Sequence, residues 1–259
     1  MFEWLQQNLK SRQHVSIAFS QPRWVVHDWE RLGVFTGSRI SEYGQSKLKR
    51  GQKYQVIPNT PDAGEWAGLP LAFIQPDFQF YNEQHVLIDH QNLAEMHAAG
   101  NVTELIIRYR FDKSANNMTL RKYRPTGHPI FDPVDAGVSI VVRARALNVP
   151  QNEPMGVICD AATGCRCLKD ADVTTVMRRA CVGAYPDPKH YMRIHIKRIL
   201  PHSNRVTAAV CLKQGGCSND EIAFRLRWHP TSVPTYLREC YQAVGQMLQK
   251  TLVGALSLG

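Results

Sequence analysis

Between Gln21 and Phe35 the chain reads QPRWVVHDWERLGVF, and Trp24, Val25, Asp28, Trp29 and Leu32 recur at three- and four-residue spacing. That period puts them on one face of a helix, and Pro22 suits its start. The residues before it also read mostly as helix. From Gly51 to Gly100 the pattern changes to Pro, Gly and aromatics, with short strand-like pieces at Leu69–Ile74 and His85–Asp89 between turn residues. Residues 103–124 predict a β-hairpin: Ile106, Ile107, Tyr109 and Phe111 favour a strand, SANN is turn chemistry, and MTLRKY returns. Asp132 and Pro133 read as the cap and first position of a helix reaching about Leu147, and a second helix is expected over Asp170–Val182.

The last quarter carries the clearest signals. A helix is expected from near His202 to Gly215-Gly216. Ser218-Asn219-Asp220-Glu221 then forms a capping box, opening a helix that turns Ile222, Ala223 and Leu226 inward. After a loop with Pro230 and Pro234, Tyr236 to about Leu256 reads as helix again. Helices, then strands, then helices, without βαβ alternation, predict a mainly α fold with a small antiparallel β-sheet, an α+β class.

Composition narrows the function classes. The chain has 259 residues, 44% hydrophobic and 20% charged, which is globular and long enough for one large domain or two small ones. No run is long enough for a transmembrane helix, and the first residues lack a signal-peptide layout, so neither a membrane partner nor export is expected. The net charge of +9 favours a polyanionic partner. Seven scattered cysteines mark no secreted framework, so reduced thiols in an intracellular compartment are expected. Cys159, Cys165 and Cys167 cluster ahead of His190 and His195, but CxxxxxCxC is not a usual zinc spacing, and loop or core cysteines are the plainer reading.

Four islands remain: TGSRISEY (36–43), FDKSANN (111–117), HSNR (202–205) and RLRWHPTSVPTYLRE (225–239). A TG-x-R-x-x-E turn, a lysine at a hairpin tip, H-x-x-R on a helix, a Trp 23 residues after that arginine and a following Tyr resemble the catalytic domain of tyrosine recombinases, the phage-integrase family. The resemblance runs over about residues 20–245. It implies that fold, a single catalytic domain over 1–259 and an insertion within 51–100. Only 38 residues precede Arg39, which implies that the family's N-terminal core-binding domain is absent.

By the same resemblance, Tyr236 is the nucleophile, and Arg39 and Arg205 clamp the scissile phosphate. His202 hydrogen-bonds that phosphate, Lys113 protonates the leaving 5′-hydroxyl, Trp228 supports the pocket and Glu42 orients the site. The implied activity is site-specific strand breakage and rejoining of double-stranded DNA through a 3′-phosphotyrosine, as in recombination or integration by mobile elements. No cofactor or metal is implied. A tetramer on DNA and a DNA-containing compartment, nucleus or nucleoid, are. A decayed or domesticated DNA-binding protein and a type IB topoisomerase-like activity stay open. Lys47, Lys49, Arg50, Arg108, Arg110, Arg121 and Lys122 are candidate contacts to flanking phosphates.

The chemistry suits the residue types. The transition state of phosphodiester attack gathers charge on the non-bridging oxygens, which arginine forks match. A phosphotyrosine stores the bond energy, so resealing needs no other energy source. A positioned acid lowers the barrier to losing an alkoxide. Three positions depart from the family pattern. Asn204 stands where an apolar residue is usual; if its side chain faces the core, the amide must find a partner or destabilise the helix. Trp228 and Tyr236 are eight apart, one short of the commonest spacing, and Pro234 restricts the backbone just before the tyrosine. Tyr241 is a second, weaker nucleophile candidate.

Overall fold

A computed structural model describes residues 21–44, 70–110, 118–160 and 164–237. The fold is mixed, mainly helical with a small antiparallel sheet. Two compact units are present, one of Met1–Leu32 with Arg39–His202, the other of Gly33–Ser38 with Ser203–Gly259.

Helix α1 (Pro22–Thr36) forms as its periodicity predicts, and Trp24, Val25, Asp28, Trp29 and Leu32 are all buried. His27, Glu30 and Arg31 are buried as well, so in the first unit the helix is enclosed on its polar side too. Burial of charge is tolerated there because partners are supplied. Asp28 pairs with Arg143 and Arg31. Arg31 also donates to Asp135 Oδ2 at 2.5 Å and to the Ile130 carbonyl at 2.6 Å. Burial alone would raise the Asp28 pKa, but Arg143, His27 and Arg31 hold the carboxyl well below the usual range. Trp29 stacks on Tyr43 (5.1 Å) and Phe73 (6.1 Å) and meets the edge of Phe78 (6.2 Å).

After the short helix α2 (Ile40–Tyr43) and a 3₁₀ turn at Gln75–Asp77 come β1 (Phe78–Tyr81), β2 (Leu87–Ile88) and α3 (Leu93–Ala98). Strands β3 (Glu104–Tyr109) and β4 (Thr119–Tyr123) complete an antiparallel sheet of order β2-β1-β3-β4. The β3–β4 hairpin is the one expected, with its turn outside the described residues. The stretch expected as an insertion therefore supplies an inner strand, β1, whose FQFY alternation buries Phe78 and Phe80. Residues 70–74 are not a strand: Phe73 bonds Glu42 O and Met155 bonds Phe73 O singly, without a ladder. Only Leu87–Ile88 of the second strand-like piece pairs, because His85 takes a left-handed φ of 61° in the turn that precedes it.

Helix α4 (Pro133–Ala146) is capped as its sequence announces: Asp132 Oδ1 accepts from the amides of Val134 (2.8 Å) and Asp135 (2.9 Å). Strands β5 (Val157–Asp160) and β6 (Gly164–Cys167) form a separate hairpin that the hydrophobic pattern does not announce. Its register sets Cys159 opposite Cys165, and the two are joined by a disulfide. This corrects the expectation of reduced thiols at those two positions. Helix α5 (Asp170–Ala184), a short α6 (Tyr191–Ile194) and a 3₁₀ turn at Ile196–Arg198 close the unit.

The second unit holds α7 (Ser203–Gln214), α8 (Asn219–Leu226), a 3₁₀ turn at Pro230–Ser232 and α9 (Val233–Leu237). The capping box at α8 is present in both directions: Glu221 N donates to Ser218 Oγ at 3.2 Å and Ser218 N to Glu221 Oε2 at 2.7 Å. Ala208, Ala209, Ile222, Ala223, Leu226, Trp228, Val233 and Leu237 make a small core. The last helix begins at Val233, ahead of the expected Tyr236, so Pro234 sits in its first turn. A proline there has no intrahelical amide bond to lose, and its fixed φ is already helical.

Candidate functional site

The first group of site residues is built by the 36–43 turn. Gly37 has a left-handed φ of 59°, which favours glycine, and a Cβ there would crowd Leu226 Cδ2 at 2.8 Å. Thr36 and Ser38 share a hydroxyl hydrogen bond of 2.8 Å. In the first unit, Arg39 caps α2 in extended backbone, and its amide donates to Glu42 Oε2 at 2.8 Å. The other carboxylate oxygen receives the Arg39 guanidinium at 3.3 Å. Glu42 is buried and Arg39 half-buried, so the buried carboxylate fixes both ends of the arginine and leaves part of the guanidinium in water.

A second group gathers inside the second unit. Arg205, on the first turn of α7, is buried, with its guanidinium carbon 4.9 Å from the centroid of the Trp228 ring. Trp228 follows Arg227, which ends α8 in the left-handed conformation (φ 57°), and the Trp228 amide returns to Ala223 O at 2.9 Å. That reversal aims the indole back at the helix pair. Tyr236 on α9 also packs on the tryptophan, ring centroids 4.4 Å apart. Arginine, tryptophan and tyrosine thus form one contact series, in which the indole is a cation–π platform for the arginine. Tyr236 is half-buried.

Asn204 lies one residue from this series and is 2% exposed. Neither its Oδ1 nor its Nδ2 has a hydrogen-bond partner among the described residues. A Cβ on Gly33 would fall 1.8 Å from Nδ2, so the amide occupies the space that a side chain at residue 33 would need. His202 is exposed in the turn immediately before α7. Lys113, Lys47, Lys49, Arg50 and Tyr241 lie outside the described residues.

The candidate phosphate-tracking residues near the hairpin divide. Lys122 is exposed and reaches Glu104 at 3.4 Å. Arg121 is half-buried. Arg108 lines an open cleft of about 710 Å³ together with Arg145, His90, Gln79, Phe78 and Ile88. Burial pushes the His90 pKa down, and Arg145 adds to that. Arg110 is a correction. It is 4% exposed, its Nε donates to both Asp77 oxygens (2.8 and 2.9 Å), and its terminal nitrogens bond Pro70 O and Ala72 O. Its guanidinium is consumed inside the protein, where it ties the 70–77 segment to β3.

Among the described residues no three His, Cys, Asp or Glu side chains are grouped as metal ligands, and no helix is long and apolar enough to cross a membrane. The chain matches no family model, no curated protein and no solved structure.

Proposed function

We propose that the chain breaks and rejoins DNA strands, with Tyr236 as nucleophile. The observation that carries this reading is the Arg205–Trp228–Tyr236 series: of three residues of the recombinase-like motif set, spread over 31 positions, Arg205 and Tyr236 each pack on Trp228 inside one unit. An ordinary core does not call for a buried arginine beside a tryptophan and a tyrosine, whereas an anionic phosphate held next to a hydroxyl does. The pairing of Arg39 with Glu42 is a second support, since it preorganises a partly exposed guanidinium.

In the proposed reaction the Tyr236 oxygen attacks phosphorus and the bond from phosphorus to the 5′-oxygen breaks. The 5′-oxygen leaves with a proton from an acid, the role that the resemblance assigns to Lys113, while the tyrosine hydroxyl gives up its own proton to water, with His202 assisting as the resemblance implies. A 3′-phosphotyrosine remains, and attack by a 5′-hydroxyl reverses the step. Arg205 stabilises the extra negative charge of the pentacoordinate state, and the resemblance adds Arg39 and His202 to that task. The fold expectation belongs to the same proposal: the chain is a recombinase-like catalytic domain acting on duplex DNA.

The test is covalent trapping. Full-length protein is incubated with nicked duplexes drawn from the genomic flanks of its gene and resolved on a denaturing gel. A shifted band that is lost in Tyr236→Phe supports the reading. Duplex binding without any such band indicates a non-catalytic DNA-binding protein, and relaxation of plasmid without exchange indicates a topoisomerase.

A further inference from the structure

One region of high charge lies outside the motif set. Residues 178–200 contain Arg178, Arg179, Lys189, Arg193, Lys197 and Arg198 against the single acid Asp187, a net of +5 within the chain's +9. Two of these arginines are structural. Arg178 donates to Ile199 O (3.2 Å) and Lys197 O (2.8 Å), and Arg193 donates to Val182 O (3.3 Å) and Tyr185 O (3.4 Å). They clamp the 189–199 segment onto α5, so the strip is built rather than draped.

The other four cations, Arg179, Lys189, Lys197 and Arg198, are exposed. No carboxylate lies within ion-pair distance of any of them among the described residues. In the same unit Arg31, Arg39, Arg110, Lys122, Arg143 and Arg166 all have one. Asp187, the one acid of the segment, makes no ion pair with these side chains among the described residues; its Oδ1 accepts the Lys189 backbone amide. Tyr191 (60% exposed) and Ile194 (62%) stand among the cations. His195 packs on the edge of Tyr191, with centroids 4.5 Å apart.

We propose that this strip, from the end of α5 through α6 to the 3₁₀ turn, is a docking surface for the phosphate backbone of duplex DNA. Four uncompensated cations on a clamped segment repel one another and gain from a polyanion that releases counterions on binding. Exposed Tyr191 and Ile194 add apolar contact to sugars, which a purely solvated charged surface would not require. Such contacts give affinity and salt dependence without sequence readout, and they hold DNA independently of the Tyr236 chemistry. The choice of DNA as the polyanion rests on the proposed function; the surface itself does not.

The experiment measures binding of the full chain to a random-sequence duplex by fluorescence anisotropy across a salt series. The variant carries Arg179→Gln, Lys189→Gln, Lys197→Gln and Arg198→Gln. A control removes equal charge elsewhere, at Arg23, Arg124, Lys169 and Lys213. Each phosphate contact contributes roughly 0.9 to the slope of log affinity against log salt. The strip variant is therefore expected to lose about 3 to 4 in slope and more than tenfold in low-salt affinity, while the control loses far less. All four side chains are exposed, and an unchanged thermal transition verifies folding. An unchanged slope, an equal loss in the control, or binding to anionic vesicles with none to duplex would each overturn the inference. The trapping assay runs beside it. Strip-dependent duplex binding without an adduct retains this surface and rejects the catalytic reading. An adduct with an unchanged slope does the reverse.

Discussion

Replacing Asn204 with leucine should stabilise the second unit. Leucine has the same branching as asparagine, so the exchange keeps the shape of the side chain beside Gly33 and removes two buried polar atoms that have no partner among the described residues. An amide buried without hydrogen bonds costs about 1–3 kcal/mol, and an apolar isostere avoids that cost. Burying the new methyls adds a gain of similar size. Part of it is lost because a methyl is bulkier than an amide nitrogen at a site this tight. A net gain of about 2 kcal/mol follows, which makes opening of the unit roughly thirtyfold rarer. Because the chain has two compact units, a single global midpoint is the wrong readout. Native-state hydrogen exchange of the α7 and α8 amides reports the second unit directly. The reciprocal change tests the same contact. Gly33→Ala places its Cβ on the Asn204 amide and should cost about 2–3 kcal/mol, most of it recovered in a Gly33→Ala, Asn204→Ala double variant. Faster exchange in Asn204→Leu would show that the amide is satisfied after all and refute the reasoning.

Three further outcomes follow from the geometry. Glu30 is buried, its pKa is raised to about 8 by burial despite the Tyr43 hydroxyl that donates to it at 3.3 Å, and the folded chain therefore holds a proton that the unfolded chain releases. Its effect on stability should fall between about pH 4.5 and 8, by up to about 1.4 kcal/mol per pH unit; Glu30→Gln should flatten that decline in urea titrations, and an unchanged pH profile would count against it. Arg110→Ala should cost about 3–5 kcal/mol by leaving Asp77 buried without its partner. Lys122→Ala should cost less than about 1 kcal/mol, and both are read from hydrogen exchange of the β3 and β4 amides in the first unit. Trp228→Ala should destabilise the second unit by about 3–5 kcal/mol and also abolish the adduct, whereas Arg205→Lys should abolish the adduct with a smaller loss of stability.

Local signals were legible in the sequence, and long-range ones were not. Asp132-Pro133 and Ser218-x-x-Glu221 satisfy backbone amides within three residues, so both caps form where their spacing says. The 3.6-residue period of α1 likewise needed no partner to be read. Its buried polar side depends on Arg143 and Asp135, more than a hundred positions away, and nothing near Asp28 or Arg31 announces them. Arg110 misleads for the same reason: beside Arg108 on a hairpin it reads as surface charge, and Asp77, 33 residues earlier, draws it inside. The Cys159–Cys165 pair depended on the register of two four-residue strands, too short to show in the sequence pattern. At the candidate site, the order of Arg205, Trp228 and Tyr236 is visible in the chain, but their stacking needs the left-handed residue at Arg227 that turns the indole back. Pro234 restricts the backbone before Tyr236 in the sequence, but α9 begins at Val233, so the proline sits in its first turn, where it is compatible with the helix. The basic strip had its own signal, a run of cations from Lys189 to Arg198 with no acid in it, which the motif pattern did not absorb.

Trapping the covalent intermediate tests the proposed activity most directly. Wild-type protein and Tyr236→Phe are each incubated with a nicked duplex carrying the gene's flanking sequence, and the adduct is located by peptide mass spectrometry. A DNA-linked peptide containing Tyr236, absent from the phenylalanine variant, is the expected result. No adduct from either protein on any flank, or an adduct on Tyr241, would contradict it.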